Sequence, residues 1–144
     1  MKKTVLLFVA IGFIAMAATT KLSISNAAVS KNVKYELMNE KYKACIAACD
    51  ECIKSCNACV TMCSKDKDSK MSACTQLCKD CVTACKAANK AMTANSENVK
   101  SECADCAKAC EKCATECDKS MMEDCKKCAT ACRKTAKLCS EPKK

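Results

Sequence analysis

Cysteine occupies the positions at which a packed helix normally carries its large hydrophobic residues. Along four stretches of the chain the cysteines follow one another at separations of three and four residues, with a single step of seven near the end, and this is the spacing of core-facing positions in a helical bundle. The stretches are Cys45, Cys49, Cys52, Cys56, Cys59, Cys63; Cys74, Cys78, Cys81, Cys85; Cys103, Cys106, Cys110, Cys113, Cys117; and Cys125, Cys128, Cys132, Cys139. The pattern predicts four helices whose inner faces are lined by thiols.

The same spacing extends each helix beyond its cysteines, to residues 35–63, 71–92, 99–117 and 121–139. The first of these is 29 residues long, which is roughly 43 Å of helix. Between the helices lie a charged loop at 64–70 and short polar turns. Because short connections make neighbouring helices antiparallel, we predict an all-α, up-down-up-down four-helix bundle with a cysteine-lined core. A helical solenoid is the alternative fold.

Polar residues and a proline mark the predicted helix ends. Asn95–Ser96 is expected to end the second helix and cap the third. Ser120, followed three residues later by Glu123, matches a capping box and is expected to open the fourth helix. Pro142 is expected to stop it.

The N-terminal segment, residues 1–27, has the features of a secretory signal peptide. A basic start precedes an apolar run of 14 residues at 5–18, and Ser25, Asn26 and Ala27 offer a small-x-small cleavage site. The run is short for a membrane span, although an uncleaved anchor is the alternative. Without an arginine pair, the general secretion route is expected. The mature domain is then 28–144, located in the periplasm or outside the cell, with no stable membrane insertion.

Composition shows that the thiols must form most of the interior. The mature part contains only ten Val, Leu and Ile residues, two Tyr, and no Phe or Trp. A domain of this size usually depends on burying many such side chains. Free cysteine packs as a small hydrophobe, so we expect an apo fold of modest stability that gains stability from bound metal.

The net charge of +9 falls to +6 once Lys2, Lys3 and Lys21 of the leader are removed. The lysines are interleaved with glutamate and aspartate, and the chain offers no aromatic platform for bases. A solvated helical surface is therefore predicted, and nucleic-acid binding is not.

Three interpretations of the thiol core compete. They are a disulfide scaffold, zinc or cadmium sites, and Cu(I) binding; iron–sulfur clusters are not indicated, since the ferredoxin spacing is absent. A disulfide scaffold fits poorly, because side chains at i and i+4 have Cβ atoms about 5–6 Å apart, whereas a disulfide prefers about 3.5–4.5 Å. Zinc or cadmium needs four ligands for each ion, so nineteen thiolates fill at most four isolated sites, each with two buried negative charges, which is costly.

Cu(I) fits the pattern best. Thiolates and thioethers select Cu(I), which accepts two or three sulfurs. If its bonds resemble Zn–S bonds of about 2.3 Å, a linear S–Cu–S unit spans about 4.6 Å, close to the separation of an i, i+4 pair. Each Cu⁺ replaces one thiol proton, so a core loaded one to one stays neutral. The chain has no histidine.

These residues resemble the bacterial copper storage proteins, which are cysteine-lined four-helix bundles that hold many Cu(I) ions. The resemblance rests on the motifs KACIAACDECIKSCNACVTMC, ACTQLCKDCVTAC, SECADCAKACEKCATEC and EDCKKCATAC. It implies tetramers and Cu(I) bridged by CxxxC pairs on single helices. The implied pairs are Cys45/Cys49, Cys52/Cys56, Cys59/Cys63, Cys74/Cys78, Cys81/Cys85, Cys106/Cys110, Cys113/Cys117 and Cys128/Cys132, while Cys103, Cys125 and Cys139 act with neighbouring helices.

The chain departs from that family in two ways. Exported relatives resemble twin-arginine substrates and carry histidine or methionine at the mouth of the bundle, whereas this chain lacks both the arginine pair and histidine. Methionines continue the predicted core pattern near the helix ends and are either thioether ligands at the entrance or hydrophobic end caps. They are Met38, Met71, Met92 and Met121. Tyr35 and Tyr42 are expected to plug one end, and Thr135 replaces a core cysteine as a packing residue.

We therefore predict a metal-binding protein, not an enzyme, that stores multiple Cu(I) ions, roughly one per cysteine. Copper ions and further copies of the chain are its expected partners. A zinc- or cadmium-sequestering bundle and a thiol redox buffer remain alternatives, as does a structural bundle that binds metal incidentally. The number of metal equivalents bound distinguishes storage from a structural site.

Overall fold

The computed structural model describes residues 26–65 and 71–141, which form four helices. They are α1 (Asn26–Cys63), α2 (Met71–Ala94), α3 (Val99–Cys117) and α4 (Glu123–Ser140). Between residues 26 and 39, only the side chains of Val33 and Leu37 are described. The predicted plug residue Tyr35, the predicted ligand Met38, the terminator Pro142 and most of the predicted signal peptide therefore fall outside the described side chains or residues.

The helices form the predicted antiparallel bundle. Each packs against two neighbours: α1 against α2 and α4, and α3 against the same two helices. Because α1 also contacts α4, the four helices close into a ring around one core, and the solenoid alternative is wrong. Among the described residues, no helix is both long and apolar enough to cross a membrane.

All nineteen cysteines lie inside the bundle, and none exposes more than 5% of its surface. Alanines fill most of the remaining buried positions. Tyr42, Met92 and Val99 are also buried. They belong to the same end of the bundle, where α2 ends and α3 begins. We call this the Tyr42 end. The opposite end, near Cys63 and Met71, is called the Cys63 end.

The end of α2 confirms one predicted boundary. Asn95 has a left-handed backbone conformation, with φ of 49°. Its N–H donates to the carbonyl of Met92 at 3.2 Å, and the N–H of Ser96 donates to the carbonyl of Ala91 at 3.0 Å. This is a Schellman motif, which satisfies carbonyls that the helix end leaves unpaired. The prediction that Ser96 caps α3 is wrong by two residues, because the cap position is Asn98. The Asn98 N–H donates to the Ser96 hydroxyl.

The predicted capping box of α4 is also wrong. The helix begins at Glu123 with Met122 in the cap position, and no side chain caps it. The Ser120 hydroxyl instead accepts a hydrogen bond from the Met122 N–H at 3.2 Å inside the connection. Met121 therefore precedes the helix, and 85% of its surface is exposed. The prediction that Met121 continues the core of α4 is wrong.

The outer surface carries the charged residues and joins adjacent helices. Lys134 on α4 donates to Glu51 on α1 at 2.6 Å, and Arg133 on α4 pairs with Asp118 at the end of α3. The hydrogen bond from Arg133 holds the pKa of the Asp118 carboxyl below its usual value. Because such pairs are exposed to solvent, each contributes little to stability.

Candidate metal centre

The helical spacing places successive thiols of one helix within reach of each other. Five of the eight predicted CxxxC pairs have sulfur atoms 3.8–4.0 Å apart. These pairs are Cys52/Cys56, Cys59/Cys63, Cys106/Cys110, Cys113/Cys117 and Cys128/Cys132. In the other three pairs each cysteine makes its shortest sulfur contact with another helix, as Cys81 does with Cys110 at 3.5 Å.

The shortest sulfur contacts join different helices, although other contacts between helices are as long as those within a helix. Cys59 on α1 lies 3.3 Å from Cys125 on α4, and Cys52 lies 3.5 Å from Cys132 and 3.6 Å from Cys81. The spacing of cysteines within one helix cannot reveal these contacts, because they depend on how the helices are rotated and shifted against one another. An ion bound between two or three of these sulfurs would join different helices.

Cys103, Cys125 and Cys139 are the three cysteines left outside the CxxxC pairs that the family resemblance implies. The structure places Cys139 against Cys45 at 2.8 Å, and Cys125 against Cys59. Hydrogen bonding to Cys103 is the largest influence on the pKa of Cys45, which is lowered. Cys125 and Cys139 therefore lie against thiols of another helix, and Cys103 influences the Cys45 thiol of α1.

The thiols form overlapping groups of four. At least five such groups have sulfur atoms that all lie within 4.8 Å of one another, and one of them is Cys52, Cys56, Cys81 and Cys132. Both Cys52 and Cys56 belong to a second group as well. Separate tetrahedral sites cannot all be filled from shared ligands, so the arrangement suits bridging thiolates better than isolated zinc sites.

Burial favours the neutral form of the metal-free thiols, although hydrogen bonds from neighbouring thiols oppose it at some positions and lower the pKa there, as at Cys45. Burial raises the pKa of the Cys63 thiol from 9.0 to about 12, and it also raises the pKa of Cys74. Among the described residues, the buried polar side chains are Ser120 and Thr135, so no buried cation balances a thiolate. A monovalent ion that replaces one proton leaves the core neutral, whereas a divalent ion held by four thiolates leaves two negative charges in it.

Thr135 is buried at the core position predicted for it. Its hydroxyl lies 2.9 Å from the carbonyl of Ala131, one turn earlier, and 2.9 Å from the carbonyl of Ala48 on α1. Its single proton serves one of these carbonyls at a time. Thr135 therefore links α4 to α1 in addition to packing, which the sequence pattern did not reveal.

The comparisons with known proteins agree with this geometry. A family model described as copper storage protein matches residues 38–144, which include all nineteen cysteines. The chain belongs to the copper storage protein family. No curated protein matches the chain.

Two solved structures of this family are similar to the chain. The Cu(I)-bound copper storage protein BsCsp3 shares 40% identity at a TM-score of 0.68, over 71% of this chain and 97% of that one. The apo form of copper storage protein 3 from Bacillus subtilis shares 41% identity at a TM-score of 0.67, over 69% of this chain and 96% of that one. Family membership, predicted from the cysteine motifs, is confirmed.

Proposed function

We propose that the chain stores multiple Cu(I) ions on the thiolates of its nineteen core cysteines, at roughly one ion per cysteine. The observation that carries this proposal is the overlap of the four-thiol groups, which links cysteines of all four helices into a shared network. Membership of the copper storage family and similarity to a Cu(I)-bound member support the choice of copper. The role is storage by binding, without catalysis.

Zinc and redox buffering remain the alternatives. Zinc would leave uncompensated charge in the core, where the described side chains include no buried cation, whereas Cu(I) exchanges for protons one to one. A redox buffer would form disulfides between neighbouring thiols without preferring a metal.

A competition experiment separates these functions. Reduced protein is mixed anaerobically with Cu(I) and an equal excess of Zn²⁺, and the bound metals are counted by native mass spectrometry. We expect many copper ions per chain and little zinc. A product dominated by zinc would refute copper storage. If copper-loaded thiols oxidised as fast as metal-free thiols, redox buffering would be favoured.

We also propose that the chain is exported through the general secretion route and acts in the periplasm or outside the cell. Support comes from the sequence of residues 1–27, with its basic start, apolar run and small-x-small site. N-terminal sequencing of protein from intact cells tests this proposal. A mature chain that begins near Ala28 would support it, and retention of Met1 would refute it.

The oligomer and the copper entrance are further proposals. Resemblance to the family supports a homotetramer, which light scattering of the purified protein tests. Among the methionines proposed as entrance ligands, Met71 is partly buried and packs against the core at the Cys63 end, whereas Met92 is only 1% exposed. Met71 is therefore the best placed to meet incoming Cu(I), and Met71→Leu should slow loading if its thioether takes part.

A further inference from the structure

A groove between α3 and α4 lies against Cys139, at the edge of the thiol core. It is lined by Lys100, Ala104 and Lys108 on α3 and by Cys139 and Ser140 on α4, and its volume is about 310 Å³. Small-molecule sites usually measure about 300–1,000 Å³. A second pocket, between α1 and α4 and lined by Tyr42 and Cys45, measures only about 130 Å³. Of these two pockets, the α3–α4 groove is the one large enough for a small organic ligand, and Cys139, which is 1% exposed, forms part of its lining.

The groove lies near the Tyr42 end. Tyr42, Met92 and Val99 are each no more than 7% exposed there. The small side chain of Ala104 leaves room in the groove at the side of the bundle.

Two cations border the groove. Lys100 and Lys108 stand four residues to either side of Ala104, so they share its face of α3 and are about 12 Å apart along the helix. The Lys108 ammonium is 3.7 Å from Asp105, but both side chains are at least 70% exposed, so the pair is weak. Glu111 adds one negative charge. The rim thus favours a ligand with negative charges near both ends.

Cys139 ends the thiol network at this groove. Its sulfur is 2.8 Å from Cys45, 3.8 Å from Cys49 and 3.9 Å from Cys106. Thr135 stands where its same-helix partner would be. A metal ion at Cys139 is therefore held by sulfurs of other helices and is continuous with the rest of the core.

We propose that the α3–α4 groove binds small thiols bearing carboxylates, which exchange Cu(I) with Cys139. This inference rests on the proposed storage function. In the exchange, the ligand's sulfur bonds to Cu(I) as the bond between Cu(I) and the Cys139 sulfur breaks. The ligand's thiol proton passes to Cys139, and copper stays Cu(I), so no oxidant is needed. A second thiol displaces the remaining cysteine sulfur in the same way, and the reverse steps load the ion.

The test measures the rate of copper release from the fully loaded protein. Glutathione, a thiol with two carboxylates, is the probe, and a chromogenic Cu(I) chelator collects the released ion. Ala104→Trp fills the groove and should slow glutathione-driven release about tenfold, because the ligand must enter this cavity. The matched control is Thr130→Trp, which fills a larger groove of about 490 Å³ between α1 and α4 whose lining contains no cysteine. We expect release from the control to match the wild type.

A charge variant tests the same groove without adding bulk. Lys100→Glu combined with Lys108→Glu should slow release by glutathione severalfold and leave release by the cationic thiol cysteamine unchanged or faster. Lys126→Glu with Lys127→Glu in the other groove is the matched control. Equal glutathione rates for Ala104→Trp, the charge variant and the wild type would overturn the inference.

Copper equivalents are counted for every protein before release is measured. If the wild type itself binds few ions, the storage function fails. If it binds many ions and the groove variants release them at the wild-type rate, only the groove inference fails.

Discussion

Thr135 offers the sharpest test of the claim that the number of Cu(I) ions bound is set by the number of core thiols. The position follows Cys132 by three residues and precedes Cys139 by four, so a thiol there would lie within reach of both neighbours. We expect Thr135→Cys to bind about one Cu(I) more than the wild type. Thr135→Val, which keeps the shape and removes the hydroxyl, should bind the wild-type number.

Both variants lose the hydrogen bond between the Thr135 hydroxyl and the carbonyls of Ala48 and Ala131. A typical net loss is about 0.5–1.5 kcal/mol. Both carbonyls lie within helices, where backbone N–H groups also bond them, so we expect a cost of about 1 kcal/mol for Thr135→Val in the metal-free state. For a domain of about 117 residues, with an unfolding entropy of about 2.1 cal/mol/K per residue, that lowers Tm by roughly 4 °C.

Two assays on the reduced proteins decide the matter. Anaerobic titration against a competing Cu(I) chelator gives the capacity, and thermal unfolding monitored by circular dichroism gives Tm. If Thr135→Cys folds, keeps its extra thiol reduced and still binds only the wild-type number of ions, capacity does not count core thiols. If Thr135→Val loses copper equivalents, the hydroxyl itself would be part of a metal site, and the packing role would be wrong.

Three further results are expected. Replacing Cys52 and Cys56 by serine should remove about two Cu(I) equivalents, as measured by the same titration, because each ion needs a thiolate; an unchanged capacity would contradict the assignment. Metal-free protein should lose stability as pH rises from 9.0 to about 12, because the pKa of buried Cys63 is raised in the fold and the unfolded chain ionises first; denaturant unfolding with pH would show no such loss if the thiols were already ionised in the fold. Asn95→Ala should destabilise the apo protein by about 1 kcal/mol, because alanine disfavours the left-handed backbone there; chemical denaturation would show no change if that conformation were unstrained.

The number and inner faces of the helices followed from the cysteine spacing, because a period of 3.5 residues defines one buried side of a helix. The predicted length of the first helix was wrong: α1 has 38 residues and begins at Asn26, nine residues before the start at residue 35 that the core pattern indicated. The helix ends were less predictable. Ser120 and Glu123 match a capping box, yet α4 starts at Glu123 with Ser120 outside it. The local sequence allows the helix to start at more than one residue between Ser120 and Glu123. The observed start at Glu123 still lets Cys125 pack into the core.

The candidate metal centre was predictable in content but not in connectivity. Spacing along one helix correctly placed Cys52 near Cys56, yet Cys52 lies closer to Cys132 on α4. Which thiols meet across the bundle depends on the relative rotation and shift of whole helices, which no local pattern encodes. The groove at Cys139 was missed for the same reason, although the small Ala104 between two lysines on one face of α3 was visible in the sequence.

The central claim, that the nineteen thiols act as one copper store, is tested most directly by an anaerobic Cu(I) titration of the fully reduced protein against a competing chelator, with free thiols counted in parallel. We predict uptake of about nineteen equivalents per chain, with reactive thiols lost in step as the core fills. Saturation at about four equivalents or fewer, with most thiols still reactive, would contradict storage and indicate a structural metal site.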